Sequence, residues 1–438
     1  MISDGLNEFK GKRVLMLQGP VGPFFARFAT DLTLTGAVVF KVNFNGGDWL
    51  FSRSSAFACV FDFAGHLADW PGYFSDLLLR LNIDTVFLFG DCRPMHVAAM
   101  AVIRQKGLHA GVFEEGYLRP DFITLERDGV NNNSSLPSNP AFYLAQPPHT
   151  FAPCQPLGST YGQATKWGAL YFAAASLTHF RFPHYKHHRR LGFGDFPFWM
   201  HSYWRKFIYG ITEREVLPDL TGAHSGNFFL VSLQTRGDAQ MSVHSDFESV
   251  EQFIEHVIES FAKHSPKNRI LALKHHPLDR GYSDYTALIK RLTKLYGLEG
   301  RCLYIHDQHL PTLLQHACGV VVVNSTVGLS AVGEGVPVKV CGSSIYDIQG
   351  LTFQGSLDEF WKSSHLAVPR EDLYRAFRSY LISHTQHRGS FYKRLPGVFF
   401  QSGVSWADHR VAASHQDVEE VQRGIRHAKR LWRQRIAP

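Results

Sequence analysis

Short apolar runs alternate with amphipathic stretches along the first half of the chain. An apolar run bounded by glycine, proline or polar residues predicts a buried strand, and an apolar stripe that recurs about every 3.6 residues predicts a helix. The predicted strands are 13–17, 37–42, 85–89, 110–113 and 122–126, and the predicted helices are 24–34 and 94–106. This order of elements indicates βαβ units of a parallel sheet.

The second half of the chain repeats the alternation. Its predicted strands are 228–233, 270–273, 303–305, 320–323 and 338–340, and its predicted helices are 245–261, 284–296, one that starts at Pro311 and one that ends near Val332. A capping box formed by Ser245 and Glu248 is expected to open the first of these helices. The sequence therefore predicts an α/β fold class that is GT-B-like, with two Rossmann-like domains and a cleft between them.

We place the domain boundaries by these patterns. Residues 1–215 are predicted to form an N-terminal Rossmann-like, acceptor-side domain that includes an aromatic-basic segment, residues 216–400 a C-terminal Rossmann-like nucleotide-donor domain, and residues 401–438 a basic helical tail. The end of the tail, 421–438, holds six basic residues and no acidic one. Its apolar residues recur along one side of a helix, so it is predicted either to bind an anionic membrane or to pack back onto the protein.

A lysine and two histidines follow the predicted strand 270–273, in the motif Lys274-His275-His276-Pro277. The motif NSTVG at 324–328 follows another predicted strand and opens a helix. We expect the two strands to be neighbours, so that Lys274 and His276 face Ser325 and Thr326 across one crevice. Cationic side chains, hydroxyls and a helix amino terminus together suit a phosphate group. The alternative is that the two histidines only close a loop.

The motif EEGYLR at 114–119 follows the predicted strand 110–113. Adjacent carboxylates at the carboxyl end of a strand are candidates for acid, base or nucleophile in an active site, which makes Glu114 and Glu115 the first catalytic candidates. Glu126 and Asp128 are further acidic candidates. A solvated loop that carries acidic residues is the alternative.

Two loops in the first half are candidates for acceptor or sugar binding. One follows the first strand and begins with Gln18; the other, NFNGGDW at 43–49, is polar and glycine-rich, with an aromatic residue at its rim. We assign to acceptor or sugar binding the residues Gln18, Asn45, Asp48 and Arg119. An ordinary turn after a strand is the alternative for residues 43–49.

Composition and charge limit the class of protein. The chain has 438 residues, 45% of them apolar and 19% charged, which is typical of a globular enzyme with two domains. Its start does not resemble a signal peptide and no apolar run is long enough to span a membrane, so we expect a cytoplasmic location. The six cysteines have neither zinc-site nor disulfide-framework spacing, and we expect no metal and no cofactor.

The net charge of +7 is concentrated in the tail and in the segment 181–206, where six basic residues accompany one acidic residue and many aromatic ones. A membrane surface or stacked bases would suit this aromatic-basic segment, and so would packing between domains. No recognised nucleic-acid module is present, so we expect no nucleic-acid partner.

Five motifs together resemble the capsule polysaccharide synthesis family, in particular its KpsS/LipB-type members. They are QGP at 18–20, NFNGGD at 43–48, EEGYLR at 114–119, KHHP at 274–277 and NSTVG at 324–328, and the resemblance covers roughly residues 13 to 345 in consistent order. It implies a β-Kdo transferase that uses CMP-Kdo to begin the linker between a capsular polysaccharide and a lyso-phosphatidylglycerol anchor. It also implies a peripheral location on the inner face of the inner membrane, with other capsule-assembly enzymes as partners.

The resemblance also assigns roles to residues. It gives the donor motifs, with Lys274, His276, Pro277, Asn324, Ser325, Thr326 and Gly328, to the CMP-sugar, where His276 and Ser325 would contact the CMP phosphate. It makes Glu114 or Glu115 the catalytic carboxylate; Asp128 stays a further catalytic candidate from its position in the chain. The acidic, His-Pro and Ser/Thr motifs are also similar to those of bacterial sialyltransferases that use CMP donors. Pro120 stands where Kdo-extending relatives tend to have serine, which favours an initiating enzyme.

Three other readings stay open at this point. A CDP-glycerol-type glycerophosphotransferase also has two domains and a His-Pro motif. A noncatalytic capsule assembly or export adaptor would keep the basic segments and would tolerate the loss of Glu115 and His276. A nucleic-acid-binding protein would bind oligonucleotides with a strong dependence on salt.

Overall fold

The structure is a computed structural model that describes residues 5–147, 156–186, 196–236, 245–394 and 402. The predicted tail helix over 421–438 and residues 187–195 of the aromatic-basic segment lie outside the described residues. The chain divides into two compact units. The first contains the described residues of 1–135, 150–193 and those from 381 onward, and the second contains those of 136–149 and 194–380.

Twelve strands are present in the described part of the chain. They are β1 (Arg13–Met16), β2 (Val38–Asn43), β3 (Phe57–Asp62), β4 (Thr85–Phe89), β5 (His109–Glu115), β6 (Phe122–Arg127), β7 (Phe228–Ser232), β8 (Ile270–Lys274), β9 (Cys302–Ile305), β10 (Gly319–Val322), β11 (Val338–Val340) and β12 (Gln386–Arg388).

Fourteen α-helices connect these strands within the same described residues. They are α1 (Phe24–Leu34), α2 (Gly46–Phe51), α3 (Trp70–Leu81), α4 (Pro94–Gln105), α5 (Pro140–Leu144), α6 (Tyr161–Leu177), α7 (Phe196–Thr212), α8 (Val216–Thr221), α9 (Val250–His264), α10 (Thr286–Leu295), α11 (Leu310–His316), α12 (Thr326–Gly333), α13 (Leu357–Ser363) and α14 (Glu371–His384). Short 3-10 helices cover Gly5–Phe9, Asn131–Asn133, His179–Arg181, Pro277–Asp279 and Ser364–Leu366.

The first unit is built on a seven-stranded sheet in the order β12-β6-β5-β4-β1-β2-β3. Strands β3, β2, β1, β4 and β5 are parallel, whereas β6 is antiparallel to β5 and β12 is antiparallel to β6. The apolar strands are covered on both faces. Trp70 and Phe74 of α3 contribute to the core on one face, and Phe24 and Phe28 of α1 contribute to the core on the other.

The second unit has a five-stranded, fully parallel sheet in the order β11-β10-β7-β8-β9. Its strands read as continuous apolar runs because helices cover both faces. Phe253 and Ile258 of α9 pack with Trp361 of α13 on one side. Two doubly wound α/β sheets confirm the predicted fold class, GT-B-like in having two Rossmann-like domains. The cleft between the domains stays a prediction.

The start of helix α9 differs from the sequence prediction. Helix α9 begins at Val250, and its cap is Ser249, whose side chain accepts a hydrogen bond from the Gln252 backbone N–H. The predicted capping box at Ser245 is therefore wrong, because the serine next to the helix satisfies its first free N–H groups. The two compact units are each made of more than one segment of the chain: the described residues of 136–149 and 194–380 form the second unit, and the chain returns to the first unit at Leu381.

Candidate active site

The carboxyl ends of β1 and β4 mark the site in the first unit. From this central pair of strands, successive strands are added outward in opposite directions, and a doubly wound sheet binds its ligand where the order reverses. Gln18 follows β1, and Arg93 lies in the loop after β4. The Arg93 guanidinium donates to the Gly19 carbonyl oxygen over 3.4 Å and lies 5.1 Å from the centre of the Phe89 ring. The sequence analysis did not identify Arg93.

Three of the four residues assigned to acceptor or sugar binding meet in one hydrogen-bond network. Gln18 Nε2 donates to Asp48 Oδ2 over 3.3 Å and to the Tyr171 hydroxyl over 3.0 Å. The same hydroxyl donates to Asp48 Oδ1 over 3.1 Å and accepts from Asn45 Nδ2 over 2.8 Å. Tyr185 donates to Gln18 Oε1 over 2.9 Å. Tyr171 belongs to α6 and Tyr185 to the segment after it. The sequence did not predict that either residue joins this network.

Arg119, the fourth residue of that set, does not join the network. It lies exposed in the β5–β6 turn, where its Nε donates to the Gly116 carbonyl oxygen over 3.3 Å.

The network is buried, and burial shifts its charged groups. Burial raises the pKa of Asp48, whereas Lys41 nearby lowers it again. Burial lowers the pKa of Lys41 to about 8. Lys41 thus favours the ionised form of Asp48 against the effect of burial, and the hydrogen bonds of the network hold Gln18 and Asn45 in place rather than exposing all their polar atoms to a ligand.

Residues 43–49, predicted as a loop, instead open helix α2. The Asn45 side chain caps that helix by accepting from the backbone N–H groups of Gly47, at 2.8 Å, and Asp48, at 3.0 Å. The two glycines are explained by the neighbouring helix α6. A Cβ on Gly46 would lie 1.7 Å from Thr178 Oγ1, and one on Gly47 would lie 2.5 Å from the Tyr171 ring. Glycine therefore lets α2 and α6 approach closely enough for Tyr171 to reach Asp48.

Glu114 and Glu115 end β5 and contact different surroundings. Glu114 Oε1 accepts from the Glu115 backbone N–H over 2.9 Å, and its other oxygen lies against Gly90 in the β4 loop. Burial raises the pKa of Glu114 to about 7, a shift that the Arg93 charge opposes. Glu115 Oε1 accepts from the Tyr392 hydroxyl over 2.9 Å. Because side chains alternate along a strand, the two carboxylates lie on opposite faces of the sheet.

Asp128 lies far from Glu114, whereas Glu126 lies on the same face of the sheet as Glu114, as its diagonal neighbour on the next strand. Since β6 runs back along β5, Glu126 pairs with Val112 and Arg127 with Gly111, which takes Asp128 to the amino end of β5. There Asp128 Oδ1 accepts from the Ala110 backbone N–H over 2.8 Å, about 17 Å of strand away from Glu115. Glu126 accepts from the Tyr117 hydroxyl over 2.6 Å and from Ser134, and burial raises its pKa to about 7. The structure therefore separates Asp128 from the other catalytic candidates.

In the second unit the KHHP motif ends β8, as predicted. Lys274 is buried at the strand end, and burial lowers its pKa. His275 is also buried: its Nδ1 is 2.7 Å from the Tyr304 hydroxyl, and burial lowers its pKa to about 3, so it stays neutral. His276 is partly exposed and caps the short helix Pro277–Asp279, with Nδ1 accepting from the Leu278 backbone N–H over 3.2 Å. This bond places the proton of a neutral His276 ring on Nε2, where it can be donated to an anion.

The NSTVG motif follows β10 at the same edge of the sheet. Ser325 is the N-cap of α12 and accepts from the Val327 backbone N–H over 3.3 Å; Thr326 is the first residue of that helix. Asn324 Oδ1 accepts from Gln234 Nε2 over 2.7 Å. Gly328 lies against Tyr346, because a Cβ there would be 2.3 Å from the tyrosine hydroxyl. The lack of a side chain at Gly328 thus lets α12 pack closely against Tyr346.

The prediction that β8 and β10 are neighbours is wrong, because β7 pairs with both and lies between them. Neighbouring strands are about 4.8 Å apart, so the KHHP and NSTVG motifs begin about 10 Å from each other. Gln234, which follows β7, lies between the two motifs, and its Oε1 is buried without a hydrogen-bond partner among the described residues. The two motifs therefore suit different groups of one extended ligand better than a single phosphate.

A cluster of buried hydrogen-bonded and charged side chains next to the end of β8 was not predicted from the sequence. His306 follows β9, and its ring contacts Glu213, whose other carboxylate oxygen accepts from the His306 backbone N–H over 2.9 Å. Burial alone would raise the pKa of Glu213, but these hydrogen bonds hold it below its ordinary value. Arg280 pairs with Asp307 in the same region. These partners are far apart in sequence, so no local sequence pattern predicts their contacts.

No group of three or more histidine, cysteine, aspartate or glutamate side chains is placed to hold a metal ion within the described residues. Among the helices of those same residues, none is long and apolar enough to cross a membrane.

Comparison with known proteins defines the class to which this two-domain fold and its strand-end motifs belong. Residues 84–392 match the family model described as capsule polysaccharide biosynthesis protein, and the chain belongs to that family. It is 40% identical to the capsule polysaccharide export protein KpsS of Escherichia coli, over 87% of this chain and 97% of that protein. It is 38% identical to the capsule polysaccharide modification protein LipB of Neisseria meningitidis serogroup B, over 89% of this chain and 93% of that protein.

One solved structure extends the comparison, that of Thermosulfurimonas dismutans KpsC, a beta Kdo 2,4 transferase. It aligns with 78% of this chain and 87% of its own, at 16% sequence identity and a TM-score of 0.37. That score is too low to infer a shared activity, and the family assignment rests on the sequence matches.

Proposed function

We propose that this protein is a glycosyltransferase that transfers Kdo from CMP-Kdo to lyso-phosphatidylglycerol and so starts the β-Kdo linker of a capsular polysaccharide. The observation that carries the proposal is the set of anion-binding groups at the carboxyl edge of the second sheet. Lys274, the Nε2–H of His276 and the amino terminus of α12 all lie at that edge. A noncatalytic adaptor has no need of such a set.

The donor site must stabilise the phosphate of the leaving CMP. When the glycosidic bond of a CMP-sugar breaks, the phosphodiester becomes a phosphomonoester and gains negative charge. Lys274 and the His276 Nε2–H can offset that charge electrostatically. The free N–H groups at the start of α12, behind Ser325, bring further partial positive charge. Gln234, after the strand between the two motifs, and Asn324 at the start of the NSTVG motif add polar groups that a nucleotide could contact.

The catalytic carboxylate in this proposal is Glu114. It lies at the carboxyl end of β5, beside the β4 loop that carries Arg93, and its pKa near 7 suits a group that exchanges a proton at neutral pH. As a base it would deprotonate the acceptor hydroxyl. If the configuration at the anomeric carbon is retained, a carboxylate nucleophile and a glycosyl-enzyme intermediate are the natural route.

The acceptor places the enzyme at a membrane surface, and helix α7 supports this location. One side of α7 carries apolar side chains that are all at least half exposed: Met200, Tyr203, Trp204, Phe207 and Ile211. Aromatic residues of this kind partition into the interfacial layer of a bilayer. We infer that the enzyme is cytoplasmic and binds the inner face of the inner membrane peripherally, near other capsule-assembly enzymes.

The decisive experiment offers purified protein four donors with lyso-phosphatidylglycerol: CMP-Kdo, CMP-sialic acid, a UDP-sugar and CDP-glycerol. Mass spectrometry of the lipid should show the mass of one added Kdo with CMP-Kdo alone. Addition of glycerol phosphate would instead identify a glycerophosphotransferase. No product with any donor, from a protein that is folded and binds CMP, would favour the export role that the name of the KpsS relative suggests.

A further inference from the structure

A cavity of about 340 Å³ opens in the first unit between the start of α2 and the carboxyl end of α6. It is lined by Asn45, Gly46, Phe172, Ala175, Ser176, His179, Phe182 and Tyr185. Asn45 and Tyr185 belong to the hydrogen-bond network around Gln18, so the cavity adjoins the ends of β1 and β2. The cavity therefore begins at the same sheet edge as Glu114.

The lining of the cavity favours an alkyl chain over a sugar. Phe172, Ala175 and Phe182 contribute carbon surface. The polar groups of Asn45 are already engaged, with Nδ2 donating to Tyr171 and Oδ1 accepting from two backbone N–H groups. The Tyr185 hydroxyl is likewise engaged with Gln18. Ser176 and His179 are the other polar residues of the lining, so a sugar placed here would replace few of the hydrogen bonds to water that it loses, which is costly.

The rim of the cavity is basic and aromatic. The guanidinium groups of Arg53 and Arg181 lie 3.9 Å and 5.1 Å from the centre of the same Trp49 ring. Arg181 also pairs with Asp62 over 2.9 Å, whereas Arg53 has no carboxylate partner among the described residues. Leu177 and Phe180, next to residues that line the cavity, are 67% and 77% exposed. Exposed apolar residues beside arginines are suited to an anionic membrane interface.

We propose that this cavity binds the acyl chain of a single-chain anionic lipid, with Arg53 and Arg181 beside its phosphate. The inference rests on the proposed function, whose acceptor it would hold with the glycerol hydroxyl toward the carboxyl ends of β1 and β2. An apolar cavity of about 150 Å³ holds one benzene ring, so 340 Å³ has room for roughly a dozen carbon atoms. The cavity thus takes most of one acyl chain and excludes a second.

The first test needs no variant and no donor. Binding of lyso-phosphatidylglycerols with chains of about 6 to 16 carbons is measured by calorimetry below their micelle-forming concentrations, with glycerophosphoglycerol as the chain-free control. Burial of each methylene should lower Kd about fourfold until the chain has roughly a dozen carbons, after which Kd should level off. A Kd that does not depend on chain length, or that keeps falling without a plateau, overturns the proposal. Diacyl phosphatidylglycerol should bind at least about tenfold more weakly than its lyso form.

The second test fills the cavity. Ala175→Trp should raise Kd for the long-chain lipid at least about tenfold and remove the dependence on chain length, because the indole occupies the space of the chain. Ala169→Trp, on an exposed position of the same helix, is the matched control and should bind as wild type. Unchanged binding by a folded Ala175→Trp protein overturns the proposal. If that variant does not fold, the chain-length series of the wild type decides alone.

The head-group contact is tested with Arg53→Ala, which should weaken lipid binding and lessen its dependence on salt. Arg104→Ala, another exposed arginine, is its control. The cavity and the proposed function can fail separately. If Kdo transfer is equally fast in the wild type and in Ala175→Trp, the proposal for the cavity fails and the proposed function stands. If lipid binding depends on the length of the acyl chain and Ala175→Trp abolishes it, but no donor supports transfer, then the cavity proposal stands and the proposed function fails.

Discussion

Glu114 and Glu115 are adjacent at the end of β5, yet one carboxylate lies against Gly90 and the other accepts a hydrogen bond from Tyr392. The strand alternation that separates them gives each a different role. Glu114 lies beside the loop after β4, at the strand pair where the sheet binds a ligand. The hydrogen bond from Tyr392 connects Glu115 on β5 to the segment after β12, so we expect the role of Glu115 to be structural.

We therefore expect Glu114→Gln to lower turnover by at least about 10²-fold, the contribution typical of an acid, base or nucleophile. Glu115→Gln, the matched change one residue along the strand, should retain most of the turnover and lose some thermal stability. Steady-state kinetics with CMP-Kdo, with circular dichroism to check folding, will compare them. If Glu115→Gln is the inactive variant, the roles are reversed.

The pH dependence of the reaction should follow Glu114. Burial raises its pKa to about 7, and a base or nucleophile must be ionised. Below that pKa the ionised fraction falls about tenfold per pH unit, so kcat/KM at pH 6 should be about one-tenth of its plateau at high pH. Glu115→Gln should keep the profile. A flat profile across this range would remove Glu114 from the chemistry.

Glu126 should affect stability rather than turnover. Burial raises its folded-state pKa to about 7, above the ordinary value of 4.5. The stability that this difference contributes is present below about pH 4.5 and is lost as the pH rises through 7. Relative to Glu126→Gln, the wild type should thus become progressively less stable from pH 5 to pH 8. Thermal unfolding at a series of pH values tests the trend, and a difference that does not change with pH contradicts it.

His276 should matter through both ring nitrogens. Nδ1 caps the helix Pro277–Asp279, and in the proposed donor site Nε2–H donates to the phosphate of the CMP-sugar. His276→Ala removes both, whereas asparagine can still cap the helix. We expect both His276→Ala and His276→Asn to weaken CMP binding, measured by calorimetry, by about tenfold or more. Normal CMP affinity in His276→Asn alone would mean that only the cap matters.

Much of the fold could be predicted because its signals are local. The strands of both sheets are apolar runs, and α1 covers the same residues, 24–34, in the prediction and in the structure. The order of the strands could not be predicted in this way. It depends on where each crossover returns, and β7 therefore came to lie between the two donor motifs.

The candidate site was predictable only where it lies at strand ends. Position after an apolar run is enough to identify a residue as a site candidate, and this applies to Gln18, Glu114, Lys274 and Ser325. Tyr171 is 153 residues from the Gln18 that it contacts, and no spacing rule links the two. The glycines of residues 43–49 were assigned to a sugar loop because their actual neighbour, α6, is equally remote in sequence.

Membrane binding has two candidate sources in this chain. The tail at 421–438, which lies outside the described residues, carries six basic side chains, each worth about 1 kcal/mol near an anionic leaflet. The exposed side of α7 carries Tyr203, Trp204 and Phe207, which are 74%, 61% and 61% exposed. Attraction by the tail is electrostatic and should weaken in salt, whereas insertion of aromatic side chains should not.

Sedimentation with phosphatidylglycerol vesicles at low and high salt should separate these two sources. We expect deletion of 421–438 to remove the salt-sensitive part of binding, and Trp204→Asp with Phe207→Asp to remove the part that survives high salt. Leu295→Asp, which places the same charge on an exposed leucine of α10, should bind as wild type. If the double α7 variant binds normally at high salt, α7 does not contact the membrane. The rim of the lipid cavity, with the exposed side chains of Leu177 and Phe180, would then be the next candidate for the contact that survives high salt.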